Sequence, residues 1–245
     1  MNARHLWFYG VMGAMTASCG VRAVVAGVRG RVAEIERQQR RWAQALLSAA
    51  KVDVEVRGAE HIRPGRPCVI VSNHASSLDP LVLFLGMPMG FTYVAKRELL
   101  KVPIFGWIIR RTGAVFVDRG DNAAARASLK VAADRMRAGQ HVLVFPEGTR
   151  SPDGRLQPFK KGGFVLAIDA GADLLPVSIV GASALCPRDH WFIRPGKVVL
   201  CIHPPISTQG RTYEDREALM AAVHGAIDAG LGETREPDAR ADRAA

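Results

Sequence analysis

The chain has 245 residues, 48% of them hydrophobic and 7% aromatic, with a mean hydropathy of +0.05. That is enough for one domain with an appendage and a large core, and it is the composition of a globular protein rather than a repeat array. Lys and Arg number 33 against 23 Asp and Glu, giving a net charge of +10 and a pI near 10.0, a balance that suits nucleic acid, an anionic membrane surface or a phosphorylated small molecule.

Residues 6–28 carry one charge, Arg22, over a length that just crosses a bilayer at about 20 residues per crossing. They are expected to form a spanning or half-inserted helix. Residues 29–51 place Val32, Ile35, Trp42, Leu46 and Ala49 near one side of a helix and Arg31, Arg37, Arg40 and Arg41 on the rest. This predicts an amphipathic helix at a membrane interface, with Trp42 at headgroup level, the alternative being an ordinary helix packed on the core. Together they form an expected membrane-attachment module over 1–50, and the arginines after the apolar span place the chain beyond them in the cytoplasm.

From Val52 the chain alternates strands and helices. VDVEVRG has a period of two and reads as a half-exposed strand, whereas PCVIVSN is a continuous apolar run, as for a strand covered on both faces. DPLVLFLGM opens a helix, with Asp79 expected as its N-cap and Pro80 at the first helical position. FTYVAK, GAVFVD, HVLVFPEG, LLPVSIVGA and KVVLCIHPPI read as further strands. Helices are expected over NAAARASLKVAADRMRAG, over GGFVLAIDAG and from Tyr213 to Ala229. The pattern predicts an α/β fold, a three-layer α/β/α domain over 51–230 with a mainly parallel or mixed sheet. Residues 231–245 are expected to be a disordered tail. Cys19, Cys68, Cys186 and Cys201 are far apart and show no metal-ligand spacing, so a reduced, cytosol-facing protein without structural zinc is expected.

Ligand sites of open α/β sheets lie beyond the carboxyl ends of the strands, where this sequence places NHASSLD, DRGDN and PEGTRSPDGR. His74 and Asp79 stand five residues apart across such a loop. A carboxylate on one ring nitrogen would fix the tautomer and leave the other nitrogen as a base. By spacing alone, Asp79 could equally just cap its helix and His74 be structural. Ser76 and Ser77 lie in no nucleophile elbow, so direct deprotonation of a substrate hydroxyl fits better. Between Lys96 and Arg119, cations alternate with apolar residues, and Arg119 stands at the mouth of a strand. In FPEGTRS, Gly148 permits an unusual turn, Arg150 can grip a phosphate bidentately, and the amides of Glu147, Gly148 and Thr149 can face an anion. Lys160 and Lys161 precede a glycine-led helix, a further candidate anion site.

Taken in order, NHASSLD, KREL, GAVFVDR, FPEGTRS and LLPVSI resemble the four sequence blocks of the glycerolipid acyltransferases, most closely the bacterial 1-acyl-glycerol-3-phosphate acyltransferases. The resemblance implies that His74 deprotonates a glycerol hydroxyl while Asp79 orients it. It further implies that Lys96, Arg119, Glu147, Gly148, Thr149 and Arg150 bind the acceptor, with Glu147 anchoring an arginine or the loop. The implied reaction acylates the sn-2 hydroxyl of lysophosphatidic acid, with acyl-CoA or acyl-carrier protein as co-substrate and no cofactor or metal. The implied location is the cytoplasmic face of the inner membrane, against anionic lipid. Ser178 departs from the family pattern, where relatives often carry proline or a small residue. Another lysolipid or glycerol 3-phosphate as acceptor, or a non-catalytic protein that binds anionic lipid, are the alternatives. Nucleic acid is not an expected partner: no aromatic-studded RNA-binding strand or zinc-finger spacing is present.

Overall fold

The computed structural model describes residues 3–101, 106, 109–110, 114–117, 122–190 and 192–233. Helices α1 (Ala3–Val28) and α2 (Val32–Ala50) precede strand β1 (Val52–Arg57). Then come β2 (Cys68–Ser72), α3 (Asp79–Gly86), β3 (Phe91–Lys96), β4 (Val115–Val117), α4 (Asn122–Arg137) and β5 (His141–Val144). The chain continues through α5 (Gly162–Ala170), β6 (Asp173–Val180), the short α6 (Ala182–Leu185), β7 (Gly196–Ile202) and α7 (Arg216–Glu233). The seven strands form one sheet in the order β1-β7-β6-β2-β5-β3-β4, parallel throughout except where β6 meets β7.

β2 is buried at all five positions, as its unbroken apolar run requires, yet its side chains still alternate between layers. Ile70, Leu143, Val177 and Leu200 join Leu46, Leu47 and Leu83 in a core beneath α2 and α3. Val69, Val71, Val142 and Leu174 meet Phe164, Leu166, Val223 and Ile227 in a second core beneath α4, α5 and α7. Helices on both faces of the sheet make the expected three layers.

Three details differ from the sequence reading. Asp79 is the first residue of α3 rather than its N-cap, which is Leu78. α2 turns its apolar side inward: Ile35, Ala43, Leu46, Leu47 and Ala50 are buried, whereas Val32 is exposed. Trp42 is half-buried and donates its indole N–H to Thr16 Oγ1 of α1 at 3.0 Å, so its polar end is satisfied within the protein. Arg40, expected on the solvated side, donates to the Leu85 carbonyl at the end of α3 at 2.9 Å. A cation at a helix C-terminus is favourable, so this bond fixes α2 to α3. Lastly, α7 reaches Glu233, past the expected start of the tail, and 234–245 lie outside the described residues.

α1 keeps the apolar exposure. Cys19, Ala23, Val24 and Ala26 are buried, while Leu6, Trp7, Val21, Val25 and Val28 face outward. By length and composition Leu6–Val28 can cross a membrane.

Phe164 is fully buried against the sheet. Truncating it to Ala should cost roughly 3–5 kcal/mol, combining lost transfer energy with the cavity left behind. Chemical denaturation followed by circular dichroism checks this, with an earlier midpoint and an unchanged slope expected.

Candidate active site

The site is built on three neighbouring strands. β6, β2 and β5 are adjacent and parallel, with Val71 opposite both Pro176 and Val144, so the loops that leave them emerge at one edge of the sheet. These loops carry His74 and Asp79, Glu147 to Arg150, and Cys186 to His190. Loops on a rigid sheet can hold side chains in fixed relation.

The His74 Nδ1–Asp79 Oδ2 distance is 2.8 Å. A carboxylate only accepts, so Nδ1 carries a proton, and in the neutral ring this leaves Nε2 with the lone pair. The same Oδ2 accepts the backbone N–H groups of Ala75 and Ser76, each at 2.8 Å. Asp79 is therefore the hub that folds its own loop, pointing back from the first turn of α3 while fully buried. The His74 ring stacks on Phe145, with centroids 4.1 Å apart and planes at 18°, and keeps 19% of its side chain exposed. One face is thus covered while part of the side chain stays exposed.

Glu147 is the second buried carboxylate. Its Oε1 accepts His74 N–H at 2.6 Å and its Oε2 accepts Gln157 N–H at 3.2 Å. Ser151 N–H returns a 2.7 Å bond to the His74 carbonyl. Of the two roles expected for Glu147, it takes the loop rather than an arginine, and its carboxylate faces backbone amides, not open solvent. Burial, reinforced by the nearby Asp79 charge and opposed by the two amides, pushes its carboxyl up to about 7.

Gly148 has φ +76°, so the turn needs glycine, while a Cβ there would meet only the movable end of Lys160, with Nζ 2.9 Å away. Its N–H bonds the Phe145 carbonyl at 3.0 Å, which removes that amide from the expected anion-facing set. Thr149 is exposed and Arg150 half-exposed. Arg150 Nη1 donates to Ser77 Oγ at 2.5 Å and to the Arg188 carbonyl at 2.9 Å, so its guanidinium lies over the His74 loop. Lys160 reaches Gly148, whereas Lys161 turns away to Tyr213 Oη at 3.0 Å. Lys96 ends β3 at the same edge of the sheet, and Arg119 lies outside the described residues.

Several residues were missed by sequence reasoning. Asn73 grips the backbone of Ile179 from both sides, donating at 3.0 Å and accepting at 2.7 Å, and so locks β2 to β6 just before His74. Ser76 Oγ donates to the Cys186 carbonyl at 2.7 Å and accepts Leu78 N–H at 3.1 Å, a structural rather than nucleophilic use. The partners of Asn73 and Ser76 are about 110 residues away, and no local pattern announces them. Ser178 is explained differently. Its hydroxyl donates to the Ile227 carbonyl at 2.9 Å and meets His203 Nε2 at 2.7 Å, so it latches α7 to the sheet.

Because the Glu147 pKa is higher folded than its ordinary 4.5, the folded state holds this proton more tightly than the unfolded chain. The resulting stabilisation is complete below about 4.5 and is lost as pH rises through about 7. Unfolding free energies measured across this range should show wild type losing ground to Glu147→Gln, with the difference levelling off above it. A difference independent of pH would contradict the shift.

Over residues 53–180 the chain matches the family model described as Acyltransferase. It is 37% identical over 205 residues to 1-acyl-sn-glycerol-3-phosphate acyltransferase alpha of Mus musculus, covering 81% of this chain and 70% of that protein. It is 38% identical over 162 residues to 1-acyl-sn-glycerol-3-phosphate acyltransferase of Pseudomonas aeruginosa, covering 66% and 62%. Among solved structures, the 1-acyl-sn-glycerophosphate (LPA) acyltransferase PlsC of Thermotoga maritima superposes with a TM-score of 0.82 at 30% identity, over 96% of this chain and 95% of that one. With its hydrogen-bonded His-Asp pair, its α/β sheet and these likenesses, the chain belongs to the acyltransferase family, among the 1-acyl-sn-glycerol-3-phosphate acyltransferases.

Proposed function

We propose that this chain transfers a fatty acyl group from acyl-CoA or acyl-carrier protein to the sn-2 hydroxyl of 1-acyl-glycerol 3-phosphate, forming phosphatidic acid. The observation that carries this reading is the 2.8 Å contact between His74 Nδ1 and a buried carboxylate, on a side chain that is still partly exposed. The likeness to relatives named for this acceptor supports the substrate.

In this mechanism Nε2 of His74 takes the proton of the acceptor hydroxyl. The oxygen attacks the thioester carbonyl, the carbon–sulfur bond breaks, and the thiolate leaves. The imidazolium, held by Asp79 on its other side, then gives its proton to the thiolate. No acyl-enzyme is formed, and the step draws on no metal or cofactor. Arg150, beside Ser77 in the His74 loop, supplies positive charge for the acceptor phosphate, with Lys96 and Arg119 in supporting roles and Gly148 and Thr149 shaping the turn. Glu147 acts indirectly, by fixing the His74 amide.

The outward residues of α1 are proposed to enter the cytoplasmic leaflet of the inner membrane, with α2 and the arginines behind it at the headgroups. Domains share the same division: 1–50 for attachment and 51–233 for catalysis.

His74→Ala should lower acyl transfer by about 10²–10⁴-fold. Asp79→Asn should do the same through kcat, since an amide presents the wrong partner to Nδ1. Thiol release with lysophosphatidic acid is the measurement, with acyl-CoA and acyl-carrier protein offered in parallel. Turnover by His74→Ala at the wild-type rate would sink the mechanism. For attachment, replacing Trp7, Val21 and Val25 with Ser should reduce cosedimentation with anionic phospholipid vesicles while leaving the melting temperature in place.

A further inference from the structure

The segment after α6 lies beyond the stretch that matches the family model, yet it touches both halves of the site. Its Cys186 carbonyl accepts the Ser76 hydroxyl of the His74 loop at 2.7 Å. Two residues on, Arg188 and Arg150 hold one another reciprocally: Arg188 Nη1 donates to the Arg150 carbonyl at 3.0 Å, and Arg150 Nη1 donates to the Arg188 carbonyl at 2.9 Å. Like charges repel, so two arginines need a reason to share such a place. Here the reason is that each cation binds the other's backbone. The pair closes a ring of two hydrogen bonds, and a third bond, from Arg150 to Ser77, fixes the direction of the guanidinium. Without Arg188, the segment at Arg150 loses a charge-assisted donor.

We propose that Arg188 is a positioning residue for Arg150 and thereby sets the enzyme's preference for a phosphorylated acceptor. The proposal rests on the functional reading that Arg150 serves the acceptor phosphate. Arg188 acts through the direction of Arg150 and not by touching the substrate. Its effect should therefore fall on the acceptor, spare the thioester donor, and vanish when Arg150 is absent.

The test uses the full chain in mixed micelles, with 1-acyl-glycerol 3-phosphate and its phosphate-free counterpart 1-acylglycerol as acceptors. Arg188→Ala should raise KM for the phosphorylated acceptor about tenfold, the change expected from one charge-assisted hydrogen bond. KM for the donor should be unchanged, and the preference over 1-acylglycerol should shrink by a like factor. Arg188→Lys, which keeps a donor, should recover most of the loss and guards against a folding defect in the Ala variant. In an Arg150→Ala background, adding Arg188→Ala should change nothing further. Effects that multiply in the double variant would show that Arg188 acts by itself and would overturn the proposal, as would equal losses for both acceptors. If Arg150→Ala raises the acceptor KM but Arg188→Ala does not, only the positioning role fails. If Arg150→Ala leaves that KM alone, the phosphate reading fails and the proposal falls with it.

Discussion

One carboxylate oxygen organises the candidate-site edge of this molecule. Asp79 Oδ2 gathers the imidazole N–H of His74 and two backbone amides, and it does so from a fully buried position. A charge taken out of water needs donors, and all three of these fall on Oδ2, while the buried Oδ1 has no hydrogen-bond partner among the described residues. The three bonds hold the loop with the ring's Nδ1 turned inward. Glu147 repeats the device from the neighbouring strand, holding the backbone of His74 while Asp79 holds its side chain. Two acidic residues thus fix one histidine, one by its ring and one by its amide.

The sheet brings these groups together by short routes. Because β6, β2 and β5 are adjacent and parallel, residues distant in sequence arrive at one edge. Asn73 and Ser76 then tie the His74 loop sideways to β6 and to the turn after α6. Precision at the site comes from these backbone grips, since each holds a strand end or a carbonyl and not a mobile side chain.

Much of this was legible in the residues. The unbroken apolar run before His74 and the alternation in VDVEVRG gave the right strands, and the Gly148 turn was readable because only glycine takes a positive φ freely. Two kinds of information were hidden. The first was which way an amphipathic helix faces. The pattern of α2 is satisfied equally by a bilayer and by a protein core, and the core holds Leu46 and Leu47. The second was long-range partnership. Asp79 looks like a helix cap because Asp often is one, but its bonds run backward to the loop rather than forward into α3. Arg188 carries no local signal at all, since its meaning depends on Arg150.

The bond from Arg40 to the end of α3 has a mechanical side. α3 spans only eight residues, about 12 Å of rigid rod, with Leu85 gripped by α2 at one end and Asp79 at the other. α2 is in turn joined to α1 through Trp42 and Thr16. This chain of contacts runs from α1 to the His74 loop, so that, with α1 in the bilayer as proposed, the span from the apolar helix to the imidazole is set by the protein's own hydrogen bonds.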